Sequence, residues 1–115
     1  MPLMMLKVSV PVAADRRKKL LSGASRLLAE ATGKPEAYVM VTIEQCEGCF
    51  DGKEGPLAFA DVRGIGGFTK EVNTAISRGL CALLQAELAI PQQRVYSVFT
   101  NVVASAWGWN GGLFG

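Results

Sequence analysis

Hydrophobic and polar positions along the chain alternate between short apolar runs and two long amphipathic stretches. "LMMLKVSV" (3–10) is strand-like and closes at Pro11. In the stretch that follows, "AADRRKKLLSGASRLLAEATGK", Leu20, Leu21, Ala24, Leu27, Leu28 and Ala31 recur at the spacing of one helix face. Asp15 is placed to cap the start of that helix and Gly33 its end. "YVMVTIE" (38–44) is rich in β-branched residues and predicts a strand. "QCEGCFDGKEGP" (45–56) is full of turn formers and predicts a loop. The pattern then restarts. "LAFADVRGIG" (57–66) is a strand with a glycine-rich turn, and "TKEVNTAISRGLCALLQAEL" (69–88) is a second helix. Its apolar side carries Val72, Ala75, Ile76, Gly79, Leu80, Leu83, Leu84 and Leu88, and "RVYSVFTN" (94–101) is a fourth strand.

The two halves align at a single offset. Gly23 matches Gly79 (79 − 23 = 56), and Leu27, Leu28, Pro35 and Val39 match Leu83, Leu84, Pro91 and Val95 at the same distance. One 115-residue domain is expected, with pseudo-repeat halves of about 2–56 and 57–115. A repeated βαβ unit makes an α+β fold: a four-stranded mixed sheet with two helices on one face. Helical crossovers set the strands of each unit parallel. Two helices cover one face, but the strands carry apolar residues on both alternating faces, for example Val39, Met40, Val41 and Ile43, so a second face is left over. That face needs a partner, and a ring of copies enclosing a shared interior supplies one.

Composition narrows the reading further. Half of the residues are hydrophobic, and the mean hydropathy of +0.25 is high for a soluble monomer. A net charge of +2 is too small to suggest nucleic acid, and "DRRKK" (15–19) reads as a solvated face. No apolar run approaches a membrane span, and no signal peptide is apparent. Without histidine, the commonest metal ligand is missing. Three cysteines, an odd count, argue against a disulfide framework. A cytoplasmic protein with no metal and no organic cofactor is expected.

The opening "MP" admits two readings. Proline at the start of a strand is structurally ordinary. Methionine ahead of a small residue is also normally trimmed, which would leave Pro2 with a free secondary amine. Amines of this type titrate near 7.7–8.0, and burial or a nearby cation lowers them into the range of a neutral-pH base. At the 56-residue offset Pro2 is matched by Ala58, so the proline occurs only where the chain can begin.

Taken together, several motifs bear a resemblance. They are the leading "MP", "VP" at 10–11, "ATGKP" at 31–35 with Tyr38 behind it, "IG" at 65–66, "LLQAELAIPQQRVY" at 83–96, and "GWN" near the end with Phe114. In this order, over nearly the whole chain, they resemble the macrophage migration inhibitory factor family of the tautomerase superfamily. The resemblance implies a homotrimer with active sites between subunits. It implies interconversion of the keto and enol forms of aromatic 2-oxo acids such as phenylpyruvate, with Pro2 as general base. It assigns Lys34 to the substrate oxygens and the Ile65 N–H to the substrate carboxylate. Tyr38, Trp109 and Phe114 become pocket aromatics, and Tyr96 a contribution from the neighbouring subunit. The plain alternatives are a solvated lysine past a helix end, a simple turn, and aromatics used for packing.

The chain also departs from the family pattern. Val98 stands where an asparagine is common, Gly64 where a serine precedes the isoleucine, and Trp107 where a smaller residue is usual. These changes bear on substrate preference and rate. The CxxC that follows the proline in the best-known animal member reads "LAFA" here, so its thiol chemistry does not carry over. "CEGC" (Cys46 and Cys49) lies in the preceding loop and makes a poor zinc site without histidine. Cys81 reads as core. The arginine behind "VP" is Val12, so receptor binding does not follow either. The competing functional reading is a trimeric interaction or signalling protein with vestigial tautomerase activity.

Overall fold

The computed structural model describes residues 1–115. β1 (Leu3–Val8), α1 (Ala14–Thr32), a 3₁₀ turn (Glu36–Tyr38) and β2 (Met40–Gln45) come first. β3 (Ala58–Gly64), α2 (Lys70–Leu88), a second 3₁₀ turn (Gln92–Arg94) and β4 (Val95–Asn101) repeat that order. Moved along by 56 residues, α1 coincides with α2 and the first 3₁₀ turn with the second. A third 3₁₀ turn (Ala104–Ala106) leads to a small hairpin of β5 (Gly108–Trp109) and β6 (Gly112–Leu113).

The sheet order is β2-β1-β3-β4. β1 and β2 run parallel with Leu3 opposite Met40, and β3 and β4 run parallel with Ala58 opposite Val95. Both pairs are therefore offset by 37 residues (40 − 3 and 95 − 58). The two halves join antiparallel through β1 and β3, where Met5 faces Asp61. Those two residues are themselves 56 apart, so the pseudo-two-fold relating the halves passes between them. The α+β fold, with its mixed sheet and repeated unit, is as the sequence predicts.

One sheet face is the core. Met4, Leu6 and Val8 of β1 and Ala58, Ala60 and Val62 of β3 alternate inward with period two. Leu20, Ala24 and Leu28 of α1 and Ile76, Leu80 and Leu84 of α2 cover them. Burial of each large aliphatic side chain here is worth about 1.5–3 kcal/mol. The helices approach closely at matched glycines. A Cβ on Gly23 would lie 2.7 Å from Leu83 Cδ2, and one on Gly79 would lie 2.5 Å from Leu27 Cδ1. The opposite sheet face carries Met40, Phe59, Tyr96 and Val98, all exposed on the single chain. No helix is long and apolar enough to cross a membrane.

Three local expectations are corrected. Asp15 does not cap α1. The cap is Ala13, which offers no side-chain acceptor, and Asp15 lies inside the first turn, where its charge still favours the helix dipole. Ala75 is exposed, because it falls at the margin of the buried stripe. Cys81 is half-buried rather than core, and partial desolvation raises its thiol pKa. Thr69 does cap α2, its hydroxyl accepting from the Val72 N–H at 3.2 Å. Gly33 ends α1 in the left-handed region at φ 69°, as its position predicts.

Candidate functional site

Pro2 sits just ahead of β1, its side chain fully buried. Its carbonyl accepts the Met40 N–H at 3.1 Å, which binds the chain start to the start of β2. Above it opens a cavity of about 360 Å³ lined mainly by apolar groups, among them Met1, Pro2, Tyr38, Met40, Trp107, Trp109 and Phe114. The first 3₁₀ turn delivers Tyr38 to this cavity, and the terminal hairpin delivers Trp109 and Phe114. Asn110 and Gly111 reverse the hairpin at φ 53° and 80°, and the Phe114 N–H donates to the Trp107 carbonyl at 3.1 Å. Trp109 stacks on Phe114 (centroids 5.7 Å apart, planes 13° apart) and meets Tyr38 edge-on at 5.7 Å. One side of the cavity is thus a continuous aromatic surface, suited to a flat apolar ring.

Lys34 follows the left-handed Gly33 and turns back toward β3. Its Nζ donates to the Ile65 carbonyl at 3.0 Å and the Gly66 carbonyl at 2.9 Å. This cation stands beside the chain's terminal amine. With Met1 in place, that amine has its pKa lowered from 8.0 to about 6, first by burial, then by the Lys34 charge and hydrogen bond. Protonating the amine would set two cations together in partly dehydrated surroundings.

The turn that carries Ile65 is held from several sides. Gly64 accepts from the Val102 N–H at 2.7 Å. The Asn101 carboxamide accepts from the Phe68 N–H at 3.2 Å and donates to the Phe68 carbonyl at 3.4 Å. Gly66 and Gly67 adopt φ 70° and 86°, which favours glycine. None of the chain's turn and loop backbone hydrogen bonds uses the Ile65 N–H as donor. The departure at Gly64 also has a physical reason here: a Cβ there would lie 2.7 Å from the Phe68 ring.

The structure therefore gathers Pro2, Tyr38, Trp109 and Phe114 around one cavity and sets Lys34 against the Ile65 turn next to the terminal amine. Trp107 also lines the cavity. Tyr96 lies apart. It is 65 % exposed and packs edge-on against Phe50 at 5.0 Å. Sequence reasoning missed Met40 and Asn101 as neighbours of these groups. Met40 could have been found, since it matches Tyr96 at the 56-residue offset. Asn101 carries no comparable signal. Cys46 is half-buried and Cys49 exposed, both as free thiols. No group of three or more Cys, Asp or Glu side chains lies close enough to hold a metal ion.

A duplicated βαβ sheet with a proline buried at its first strand defines the tautomerase-type fold. The comparisons give the family within it. The family model of macrophage migration inhibitory factor matches residues 1–115. A macrophage migration inhibitory factor homolog from Brugia malayi is 38% identical over 96 residues, covering 83% of this chain and 84% of its own. The solved macrophage migration inhibitory factor of Toxoplasma gondii superposes with a TM-score of 0.95 at 34% identity, covering 97% of this chain and 99% of that one. The homologue from Prochlorococcus marinus gives 0.92 at 37% identity, covering 98% and 99%. This chain belongs to the macrophage migration inhibitory factor family.

Proposed function

We propose that the protein is a keto–enol tautomerase of aromatic 2-oxo acids such as phenylpyruvate, with Pro2 as its base once Met1 is removed. The observation that carries this reading is the terminal amine beside Lys34, lowered to about 6 at the mouth of an aromatic cavity. Trimming Met1 moves the free amine to Pro2, whose side chain is fully buried. Burial and the neighbouring Lys34 cation both disfavour a proton on an amine at this place, which leaves it available to take one.

In the proposed reaction the Pro2 nitrogen removes a proton from the carbon next to the ketone. The C–H electron pair becomes the new C=C bond, and the carbonyl π pair moves onto oxygen. Protonated Pro2 then delivers the proton to that oxygen to give the enol, and the reverse path uses the same groups. Lys34 and the Ile65 N–H hold the carboxylate and carbonyl oxygens and stabilise the developing enolate. Tyr38, Trp109 and Phe114 receive the aromatic ring. Tyr96 comes from a second copy in a homotrimer, which also covers the exposed sheet face, and the protein acts in the cytoplasm without metal or organic cofactor.

The test is phenylpyruvate enol–keto conversion, measured on protein whose intact mass shows Met1 removed and on protein that retains it. Activity confined to the processed form is expected, because retained Met1 makes the Pro2 nitrogen a tertiary amide. Equal activity in both forms would remove Pro2 from the mechanism.

A further inference from the structure

The 56-residue repeat places a second cavity where the first half has the Pro2 cavity. Its lining includes Gln93, Arg94 and Tyr96, the counterparts of Ala37, Tyr38 and Met40, which line the first. In the first half the terminal hairpin folds over the cavity with its aromatics. In the second half the 46–57 loop takes that place and contributes Phe50. No free amine can occur in this second cavity, because Ala58 matches Pro2 and lies within the chain. Arg94 fills the place of Tyr38, and its guanidinium is already engaged.

That engagement is extensive. Arg94 Nε donates to the Pro56 carbonyl at 2.7 Å, Nη2 to the Lys53 carbonyl at 3.0 Å and Nη1 to the Phe50 carbonyl at 3.3 Å. Its guanidinium carbon also lies 5.6 Å from the centre of the Phe50 ring. The gripped segment is a tight turn. Phe50 and Lys53 exchange backbone hydrogen bonds of 2.9 and 3.0 Å, and Asp51 and Gly52 reverse the chain at φ 56° and 68°. Phe50 then packs edge-on against Tyr96 at 5.0 Å. An arginine two residues ahead of Tyr96 thus locks the turn whose aromatic ring steadies Tyr96. The planar fork suits three carbonyls at once in a way that a lysine ammonium does not.

We infer that Phe50 and Arg94 are positioning residues that fix the Tyr96 ring as a wall against a neighbouring copy's substrate, so that they set preference for aromatic over aliphatic 2-oxo acids. The inference rests on the tautomerase reading and on Tyr96 facing a neighbour's cavity. In this view the second half has turned its counterpart of the catalytic cavity into a specificity element. An edge-to-face pair is worth about 0.5–1.5 kcal/mol. Loss of that support corresponds to a factor of about 2 to 12.

The experiment compares Phe50→Leu, Arg94→Lys and Tyr96→Ala with the processed parent chain. KM and kcat are measured for phenylpyruvate and for the aliphatic 2-oxobutanoate, and Pro2→Gly serves as the activity control. Phe50→Leu and Arg94→Lys are expected to raise KM for phenylpyruvate by about fivefold, with kcat changed less than twofold and KM for 2-oxobutanoate unmoved. Tyr96→Ala should show the same selectivity loss, larger. A change confined to Tyr96→Ala would overturn the role of Phe50 and Arg94 and leave the tautomerase reading standing. Full activity in Pro2→Gly, or an inactive parent, would overturn that reading and this inference with it. A merely structural role for Phe50 and Arg94 predicts equal losses on both substrates, and that outcome also refutes the inference.

Discussion

The contact between the two helices at Gly79 makes a prediction whose sign reverses with background. Gly79 sits in α2 against Leu27 of α1, and a Cβ there would lie 2.5 Å from Cδ1, 2.9 Å from Cδ2 and 3.2 Å from Cγ. Because all three branch atoms crowd the position, rotating one methyl away does not relieve it. In isolation, replacing a mid-helix glycine by alanine stabilises by about 0.8–1 kcal/mol. Overpacking costs about 1–3 kcal/mol. The overlap is severe enough for packing to win, so Gly79→Ala should destabilise the protein by about 1 kcal/mol. Leu27 is only half-buried, so Leu27→Ala should cost about 2 kcal/mol, the low end of the range for a buried leucine. With the leucine branch gone, the alanine meets no obstacle. Gly79→Ala should then stabilise by about 1 kcal/mol in the Leu27→Ala background, giving a coupling near 2 kcal/mol. Urea unfolding followed by circular dichroism, at one fixed protomer concentration, reads all four corners of the cycle. If Gly79→Ala costs the same in both backgrounds, helix contact at this glycine does not limit packing and the reasoning fails. The pseudo-symmetric pair Gly23 and Leu83, at 2.7 Å, should show the same reversal with a slightly smaller cost.

Further outcomes concern the chain ends of the elements and the terminal amine. In protein that retains Met1, the terminal amine should titrate near 6 by pH-dependent amine labelling, and Lys34→Gln should raise it only part of the way to 8.0, because burial is the larger cause. The folded state binds this proton more weakly than the unfolded chain does. Stability should therefore rise as pH goes from about 6 to about 8, and the urea midpoint should rise less steeply in Lys34→Gln. A flat or falling midpoint across that window in the parent would contradict the assignment. At the helix ends, Gly33 and Ala89 are repeat counterparts, both left-handed at φ 69° and 53°. Gly33→Ala should lose about 1 kcal/mol in thermal or urea unfolding, and Ala89→Gly should gain a comparable amount.

The features legible in the sequence were those written by repetition. Leu20, Leu28, Leu80 and Leu84 declare their helix faces by period, and the matched glycines and prolines declare the duplication. Those patterns sufficed for the sheet, the two helices and the order of elements. The cap at Ala13 was not legible, because nothing in its side chain marks it and nearby Asp15 is the better acceptor by type. The clamp on the Ile65 turn by Asn101, and the grip of Arg94 on the 50–56 segment, were not legible either. Both act on backbone carbonyls or amides, which every residue has, so no partner residue signals them. The sequence resemblance grouped Tyr96 with Pro2, but within one chain the fold places Tyr96 beside Phe50 and Arg94. The duplication accounts for that separation. Each half shapes a cavity at the end of its parallel strand pair, but only the first can end in a free amine. The second half is relieved of that constraint, and its counterpart of Tyr38 could become an arginine that pins a loop. Under the proposed assembly, one repeat supplies the base and the other supplies a wall. Selection on substrate preference can then act on the second cavity without disturbing the amine in the first.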